Sequence, residues 1–344
     1  MDGPWQLGHT TAKEYGRLAA KTARAMRQID PGLELVACGS SSADMPTFGE
    51  WDRAVLVETY DEVDYLSCHA YYEPIDGDLG SFLASAVGMD RFIDSVTATA
   101  DHVKAERRSE KTLAISFDEW NIWYNTRFDQ VDRITDPSRW PVAPRLLEDT
   151  YSVLDAVVVG NLLISLIRHA DRVRAASLAQ LVNVIAPIMT EPGGPSWRQT
   201  TFHPFALASS LARGVALELK LDCPTYVSAA YGEVAVVDAV ATYEESSGSS
   251  AIFLVNRSQE EPVTVEIDIR ALGGVEPGMA TTLSDPDIHA ANTLADPLRV
   301  QPAANTSVEL DDGRLLITLP AVSWTALTLT AVTGRSPMDL QERN

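Results

Sequence analysis

The chain is poor in positive charge. Its 344 residues include 27 lysines and arginines against 48 aspartates and glutamates, which gives a formal net charge of −21. Nucleic acids and anionic membrane surfaces are bound through clusters of cations, because their phosphate groups must be neutralised. The acidic balance therefore argues against nucleic acid and membrane as partners, whereas a neutral substrate such as a sugar is compatible with it.

Cysteines and long apolar runs are scarce as well. Cys38, Cys68 and Cys223 are odd in number and widely spaced, so we expect buried free thiols and neither a disulfide framework nor a zinc site. Free thiols favour a reducing compartment, and on that basis we predict a cytoplasmic location. The nearest approach to a membrane span, at 156–167, is bounded by charges and suits a buried helix.

Several catalytic motifs are also missing. The six histidines are scattered without metal-ligand spacing, so we expect no metal site. No strand is followed by a G-x-S-x-G elbow or by a glycine-rich loop that could hold phosphate. We therefore expect no cofactor.

The first part of the chain alternates between helical and strand patterns. Apolar runs predict buried strands at 33–41, 64–72, 112–120 and 175–184, with helical patterns between them. This order is typical of a parallel sheet with crossover helices. Four strands amount to about half of the eight in a (β/α)₈ barrel.

Beyond about residue 215 the helical period is replaced by short alternating segments. They predict strands at 234–243, 250–257, 263–269, 314–319 and 323–330. Such segments, separated by turns rich in glycine, serine and aspartate, are typical of an antiparallel β-sandwich. We predict half of a barrel over 1–214, a β-sandwich over 215–333 and a disordered tail over 334–344.

Polar and aromatic residues follow one another where three predicted strands end. The three groups are His69 with Tyr71, Asp118 and Glu119 with Trp120 and Trp123, and Gln180 with Asn183. In α/β barrels the catalytic residues lie at these carboxyl ends. Side chains alternate along a strand, so Asp118 and Glu119 should point in opposite directions and only one should serve a pocket.

Each of these residues also has an ordinary structural explanation. An Asp-Glu pair is more often a solvated surface pair, His69 could be a core histidine, Tyr71 a packing residue and Gln180 a strand cap. The tryptophans favour the functional interpretation, because sugar rings stack on indoles and a charge that ends a buried strand needs a purpose.

Longer motifs carry a family resemblance. The segments MDGPWQLGH, LVACGSS, MPTFGEW, CHAYY, SFDEWNIWY, PVAPRLLEDTY, HADRV and SLAQLVNVIAPIMTE, in this order, closely resemble the α-L-arabinofuranosidases of glycoside hydrolase family 51. The resemblance runs from residue 1 to about 215 and continues more weakly to Trp324. It implies a retaining (β/α)₈ barrel followed by a β-sandwich.

The resemblance also implies roles for individual residues. The family's nucleophile is the glutamate of the DEWN motif, which is Glu119 here. Its sugar pocket is lined by residues that match His69, Tyr71, Trp123 and Gln180. The family's acid/base is a glutamate in an Asn-Glu pair directly before the MDGPWQ motif, so we expect that residue and the first four barrel strands to lie upstream of Met1. The chain is then a fragment with little activity alone.

The predicted activity is removal of terminal α-L-arabinofuranosyl groups from arabinan- or arabinoxylan-type saccharides. The resemblance further implies a homo-oligomer for the complete protein. Two alternatives are a non-catalytic carbohydrate-binding or inert remnant, and a related retaining barrel glycosidase acting on xylosides or β-glucans. Aryl glycosides of different sugars would separate the enzymatic possibilities.

Overall fold

The computed structural model describes residues 1–331, and the predicted tail at 334–344 lies outside them. The chain forms two compact units. The first, here called the parallel-sheet unit, comprises 1–73, 87–125 and 169–180. The second, the sandwich unit, comprises 74–86, 126–168 and 181–331 of the described residues. The domain boundary near residue 215 stays a prediction.

The parallel-sheet unit contains a four-stranded sheet in the order β1-β2-β3-β4. Its strands are β1 Val36–Ala37, β2 Tyr65–Tyr72, β3 Ala114–Ile122 and β4 Val173–Leu178, and its helices are α1 Ala12–Ile29, α2 Glu50–Thr59 and α3 Ser85–Arg107. All neighbouring strands run parallel. The predicted parallel sheet with intervening helices is confirmed.

Helix α1 begins with a capping box formed by Thr11 and Glu14. The Thr11 hydroxyl accepts a hydrogen bond from the backbone N–H of Glu14 at 3.3 Å, and the Glu14 carboxylate accepts one from the backbone N–H of Thr11 at 3.3 Å. Two N–H groups that a helix start leaves without intrahelical partners are thereby satisfied. Local chemistry thus fixes where the helix begins.

The buried face of α1 is not its stripe of large apolar side chains. Leu18, Met26 and Ile29 are exposed, and the buried residues are Gly16, Ala20 and Ala23. The reason is the close approach of α2: a Cβ added at Gly16 would lie 3.0 Å from the Cβ of Glu58 and 3.3 Å from the Cα of Val55. Small residues face α2 because larger ones would not fit between the helices.

The sandwich unit holds the remaining strands and two long helices. The helices are α4 Val153–Arg168 and α5 Phe202–Leu211, with short helical segments at Leu79–Leu83, Asn125–Arg127, Phe128–Asp132, Pro137–Arg139 and Arg270–Leu272. The strands are β5 Ile188–Thr190, β6 Ser196–Arg198, β7 Val215–Leu217, β8 Thr225–Ser228, β9 Gly232–Ala235, β10 Val237–Glu244, β11 Ser249–Asn256, β12 Val263–Asp268, β13 Val275–Leu283, β14 Ala303–Ala304, β15 Glu309–Asp311, β16 Arg314–Leu319 and β17 Ser323–Ala331.

The two larger sheets of this unit are antiparallel, as predicted. One has the order β14-β13-β17-β11-β10-β7 and the other β12-β16-β15. Ile252 and Leu254 of the first sheet share a core cluster with Leu315 and Ile317 of the second. Strand β13 was not predicted, because Pro277 and the register shift that follows it interrupt the alternation.

Helix α4 is the apolar run of 156–167, and almost all of it is buried. Its glycine, Gly160, lies against the Trp324 indole of β17: an added Cβ would be 2.2 Å from the ring carbon Cδ1. No helix within residues 1–331 combines the length and apolarity that crossing a bilayer requires.

A buried polar network joins α4 to β10 and to the end of β11. The Arg257 guanidinium donates to the Asp238 carboxylate at 2.7 Å and to the Asn161 carbonyl oxygen at 2.9 and 2.8 Å, while the Asn161 amide donates to Asp238 at 2.7 Å. Arg168 pairs with the same carboxylate. The buried charges of Asp238 and Arg257 are therefore paired and hydrogen-bonded, as burial requires.

Candidate active site

The candidate site lies at the carboxyl ends of β2 and β3. In the parallel register His69 is opposite Glu119, and Tyr71 is opposite Asn121. The predicted residues from these two strands are therefore brought together by backbone pairing. Residues at the ends of β2 and β3 lie together, as their positions predict, because parallel strands direct their carboxyl ends to one edge of the sheet.

A one-residue bulge interrupts β3 next to the carboxylates. Ser67 and His69 of β2 pair with Ser116 and Glu119 of β3, so three steps along β3 match two along β2. The pairing of β3 with β4 also contains one extra β3 residue, because Phe117 and Trp120 pair with Ala176 and Leu178. An extra residue shifts the side-chain alternation by one position. The prediction that Asp118 and Glu119 point in opposite directions is therefore wrong: both carboxylates contact one imidazole.

Glu119 is held by two side chains of β2. The Tyr71 hydroxyl donates a hydrogen bond of 2.7 Å to Oε1 of Glu119. Nδ1 of His69 lies 3.5 Å from Oε2. The Trp123 indole meets the Tyr71 ring edge to face, with centroids 5.2 Å apart and planes at 73°. The carboxylate is thus oriented through one oxygen, while an aromatic surface stands beside it.

Asp118 occupies the other side of the His69 ring. Its Oδ1 lies 3.1 Å from Nε2 of His69 and accepts a hydrogen bond of 2.7 Å from the Ser67 hydroxyl. The Ser116 hydroxyl donates to Oδ2 at 3.4 Å. Each ring nitrogen of His69 therefore faces a different carboxylate.

These contacts shift three pKa values. Burial of the His69 ring opposes its positive charge, but the hydrogen bond of Asp118 and the charges of Glu119, Asp118 and Asp2 outweigh it and raise the pKa of His69. Burial likewise opposes ionisation of Asp118, yet hydrogen bonds from His69 and Ser67 lower its pKa. Burial and the hydrogen bond to Glu119 raise the pKa of Tyr71 well above its usual range. Tyr71 is therefore a neutral donor at physiological pH.

Gln180 follows β4, which ends two residues earlier at Leu178. The intervening residue is fixed by β3: Ala179 donates its N–H to the Trp120 carbonyl at 3.1 Å, and the Asn121 amide donates to the Ala179 carbonyl at 2.5 Å. The Ala179–Gln180 peptide bond is cis, and Gln180 is exposed. It thus lies at the same edge of the sheet as the other predicted residues.

Asn183, which the sequence groups with Gln180, belongs to the sandwich unit. Its amide nitrogen donates to the Thr190 carbonyl at 3.1 Å and to the Glu148 carboxylate at 3.2 Å. It therefore holds a local turn of its own unit, and β4 is shorter than the predicted strand at 175–184.

Ser67 and Asn121 were not predicted to belong to the site. Ser67 precedes His69 by two residues in β2, and Asn121 follows Glu119 by two in β3. A spacing of two along a strand puts side chains on the same face, which is the signal that could have found them. Within residues 1–331, no group of three or more His, Cys, Asp or Glu side chains could hold a metal ion.

The arrangement is suited to one chemistry above others. A carboxylate at the end of a parallel strand, oriented by a phenol and an imidazole beside a half-buried tryptophan, can attack a sugar's anomeric carbon. These features are typical of glycoside hydrolases built on parallel α/β sheets.

Comparison with known proteins identifies the family. A profile described as the α-L-arabinofuranosidase C-terminal domain matches residues 118–323. The chain is 56% identical over 327 residues to an intracellular exo-α-(1→5)-L-arabinofuranosidase of Streptomyces lividans, covering 95% of this chain and 49% of that protein. It is 52% identical over 345 residues to an exo-α-(1→6)-L-arabinofuranosidase of Bifidobacterium longum, covering 95% and 64%.

A solved structure of a family 51 α-L-arabinofuranosidase from Bifidobacterium longum superposes with a TM-score of 0.90 at 42% identity, covering 96% of this chain and 66% of that one. The chain belongs to the family 51 α-L-arabinofuranosidases. It spans 49% of the length of the Streptomyces relative and 64% of the Bifidobacterium relative.

Proposed function

We propose that this chain carries the nucleophile of a retaining, exo-acting α-L-arabinofuranosidase that releases L-arabinose from arabinan- or arabinoxylan-type saccharides. The observation that carries the proposal is the setting of Glu119, whose Oε1 accepts a 2.7 Å hydrogen bond from Tyr71 and whose Oε2 faces His69. The names of the relatives, which describe exo-acting arabinofuranosidases, support the substrate class.

In the proposed reaction Glu119 attacks the anomeric carbon and the glycosidic bond breaks. A general acid protonates the leaving oxygen, and water then attacks the glycosyl-enzyme so that arabinose leaves with net retention. Tyr71 fixes one carboxylate oxygen and leaves the other to react. Trp123 offers its indole to the sugar ring, and Gln180 offers its amide to a hydroxyl.

The family resemblance implies a general acid in an Asn-Glu pair directly before the MDGPWQ motif. We therefore propose that the chain alone hydrolyses natural arabinosides very slowly, since acid assistance contributes about 10²–10⁴-fold to such rates. Ordinary turnover of arabino-oligosaccharides by the purified 344-residue chain would contradict this.

The nucleophile is tested with Glu119→Ala in an enzyme of the relatives' full length that carries this sequence. We expect the variant to lose turnover of 4-nitrophenyl α-L-arabinofuranoside. Added azide should restore release of nitrophenol and give an arabinosyl azide of inverted configuration, identified by NMR. The matched control is Glu110→Ala, which removes an exposed glutamate of the same unit and should behave as wild type.

Three outcomes would contradict the proposal in different ways. Normal turnover by Glu119→Ala would show that Glu119 is not the nucleophile. Cleavage of aryl xylosides or β-glucosides in preference to the arabinofuranoside would change the substrate class. Saccharide binding without cleavage of any aryl glycoside by the full-length protein would indicate a binding protein.

We further propose that the protein acts in the cytoplasm as a homo-oligomer. Cys38, Cys68 and Cys223 are free thiols, and the Streptomyces relative is named as intracellular. Cell fractionation tests the location, and light scattering of the full-length protein tests the assembly. Activity in the culture medium, or a monomeric mass, would contradict the corresponding half of this proposal.

A further inference from the structure

The proposed displacement uses Glu119 but gives no role to Asp118. Asp118 is nevertheless part of the same cluster, because the bulge in β3 turns it to the His69 ring. Its Oδ1 lies 3.1 Å from Nε2 of His69, and the Ser67 hydroxyl donates to that oxygen at 2.7 Å. A carboxylate held by two partners at the end of a strand is an ordered group and calls for a function.

The geometry of His69 restricts its protonation. A neutral imidazole carries one N–H, so it can donate to one neighbour only, whereas the imidazolium donates from both nitrogens. Here each nitrogen faces a carboxylate, Asp118 at 3.1 Å and Glu119 at 3.5 Å. Only the imidazolium offers a proton to both.

The charges with the largest effect on the ring are acidic. Asp118 and Glu119 approach from β3, and Asp2 adds its negative charge from the N-terminal segment. On the ring's own strand the nearest polar neighbour is the Ser67 hydroxyl, 3.3 Å from Nε2. These groups outweigh the burial of the ring, so the pKa of His69 lies above its ordinary value.

We propose that Asp118 is a positioning residue that keeps His69 protonated and thereby maintains a positive charge at Oε2 of Glu119. The inference rests on the proposed function, since it assumes that Glu119 is the nucleophile. Asp118 does not touch the sugar and acts through the imidazole.

The consequence concerns Glu119. A neighbouring cation favours the ionised form of a carboxylate, and ionisation is the state in which Glu119 can attack. Without Asp118 the imidazole would face one carboxylate only and would lose its proton at lower pH. Glu119 would then keep the Tyr71 hydrogen bond but lose the charge beside its second oxygen.

The first experiment needs no enzymatic activity. The His69 ring resonances of the 344-residue chain are followed by NMR between pH 5 and 9 (roughly the range in which imidazoles titrate) and assigned by their loss in His69→Gln. In the wild type, His69 should titrate above the ~6.5 of an unperturbed imidazole. In Asp118→Asn it should titrate at lower pH, and in Asp118→Glu, which restores the charge, part of the difference should return. Asp268→Asn, an exposed aspartate of the sandwich unit, is the control and should leave His69 unchanged.

The second experiment uses the full-length enzyme. Asp118→Asn should lower kcat by about tenfold to a hundredfold, the kinetic equivalent of one charge-assisted hydrogen bond, and change KM little. Activity that needs the imidazolium is lost as pH rises through the pKa of His69. The alkaline limb of the pH–rate profile should therefore move to lower pH in the variant.

The two experiments separate this inference from the assignment of Glu119. If wild-type His69 titrates at or below the ordinary imidazole value, or if Asp118→Asn leaves a raised value unchanged, the inference is wrong whatever the enzyme does. If Asp118→Asn fails to fold, the wild-type measurement can still overturn the inference, and Asp118→Glu still tests the role of Asp118. If His69 behaves as expected but Glu119→Ala keeps normal turnover, the proposed function fails and the ion cluster is structural. A kcat loss in Asp118→Asn with an unmoved pH profile would also contradict the inference.

Discussion

Replacing Gly160 by alanine should destabilise the sandwich unit, although alanine is the better helix former. The added Cβ would lie 2.2 Å from Cδ1 and 2.6 Å from Nε1 of Trp324, whereas non-bonded carbons prefer about 3.5–4.0 Å. The indole cannot withdraw easily, because it is 1% exposed and stacks on Phe253 with centroids 5.8 Å apart. Overpacking of this kind costs about 1–3 kcal/mol or more, against a gain of about 1 kcal/mol in helix propensity.

Because the overlap exceeds an ångström, we place the packing cost at or above the upper end of that range, which leaves a net loss of about 2 kcal/mol. For a unit of this size the melting temperature should fall by about 4–8 °C, measured by circular dichroism or calorimetry. Gly80→Ala is the matched control, since its Cβ would meet its nearest atom, Oδ1 of Asp78, at an ordinary 3.4 Å. In a Trp324→Ala background, Gly160→Ala should lose its penalty. An unchanged or raised melting temperature in the single variant would refute the packing argument.

Tyr71→Phe in the full-length enzyme should lower kcat by about tenfold to a hundredfold, because Glu119 loses one hydrogen bond. If the variant has wild-type kinetics, that hydrogen bond does not contribute to catalysis. Arg257→Met should lower the free energy of unfolding, measured in urea, by about 3 kcal/mol, because it breaks a buried ion pair with Asp238. An unchanged urea midpoint would show that the other partners of Asp238 are enough to compensate its buried charge. Since the pKa of His69 is raised in the fold, its stabilising contribution should be complete below about pH 6.5 and vanish as pH rises through the folded value. His69→Gln should therefore lower the free energy of unfolding more at pH 6 than at pH 8.5. An equal loss at both pH values would show that the contribution of His69 does not depend on pH in this way.

The sequence predicts the fold where local patterns decide it. Buried parallel strands are continuous apolar runs, and the capping box at Thr11 marks the start of α1 by itself. Long-range packing decides the rest. The apolar stripe of α1 does not show that α2 approaches closely at Gly16, nor that the buried residues are the small ones, Gly16, Ala20 and Ala23. Strand β1 is shorter than its apolar run because only Val36 and Ala37 find partners in β2.

The candidate site was predictable to a similar degree. The positions of His69, Tyr71 and Glu119 follow from one rule, that parallel strands end at the same edge of a sheet. The pairing of Asp118 with His69 does not follow, because alternation assumes an uninterrupted strand. A bulge depends on the register with neighbouring strands, and one strand's sequence does not contain that information.

The bulge divides β3 into two segments that meet at Asp118 and Glu119. The alternation of side chains between the two faces of the sheet is offset by one residue from one segment to the other. The odd-numbered side chains up to Phe117 therefore point to one face of the sheet, and the odd-numbered side chains from Glu119 onwards point to the other face. Deleting Asp118 would remove the bulge and restore regular alternation, so that Glu119 and Trp120 would keep their faces but only one carboxylate would remain beside the imidazole. A substitution there changes one contact, whereas this deletion would remove both the bulge and the pair of carboxylates that it creates. Any transplant of this site into another scaffold must therefore carry residues 116–122 as a single indivisible block.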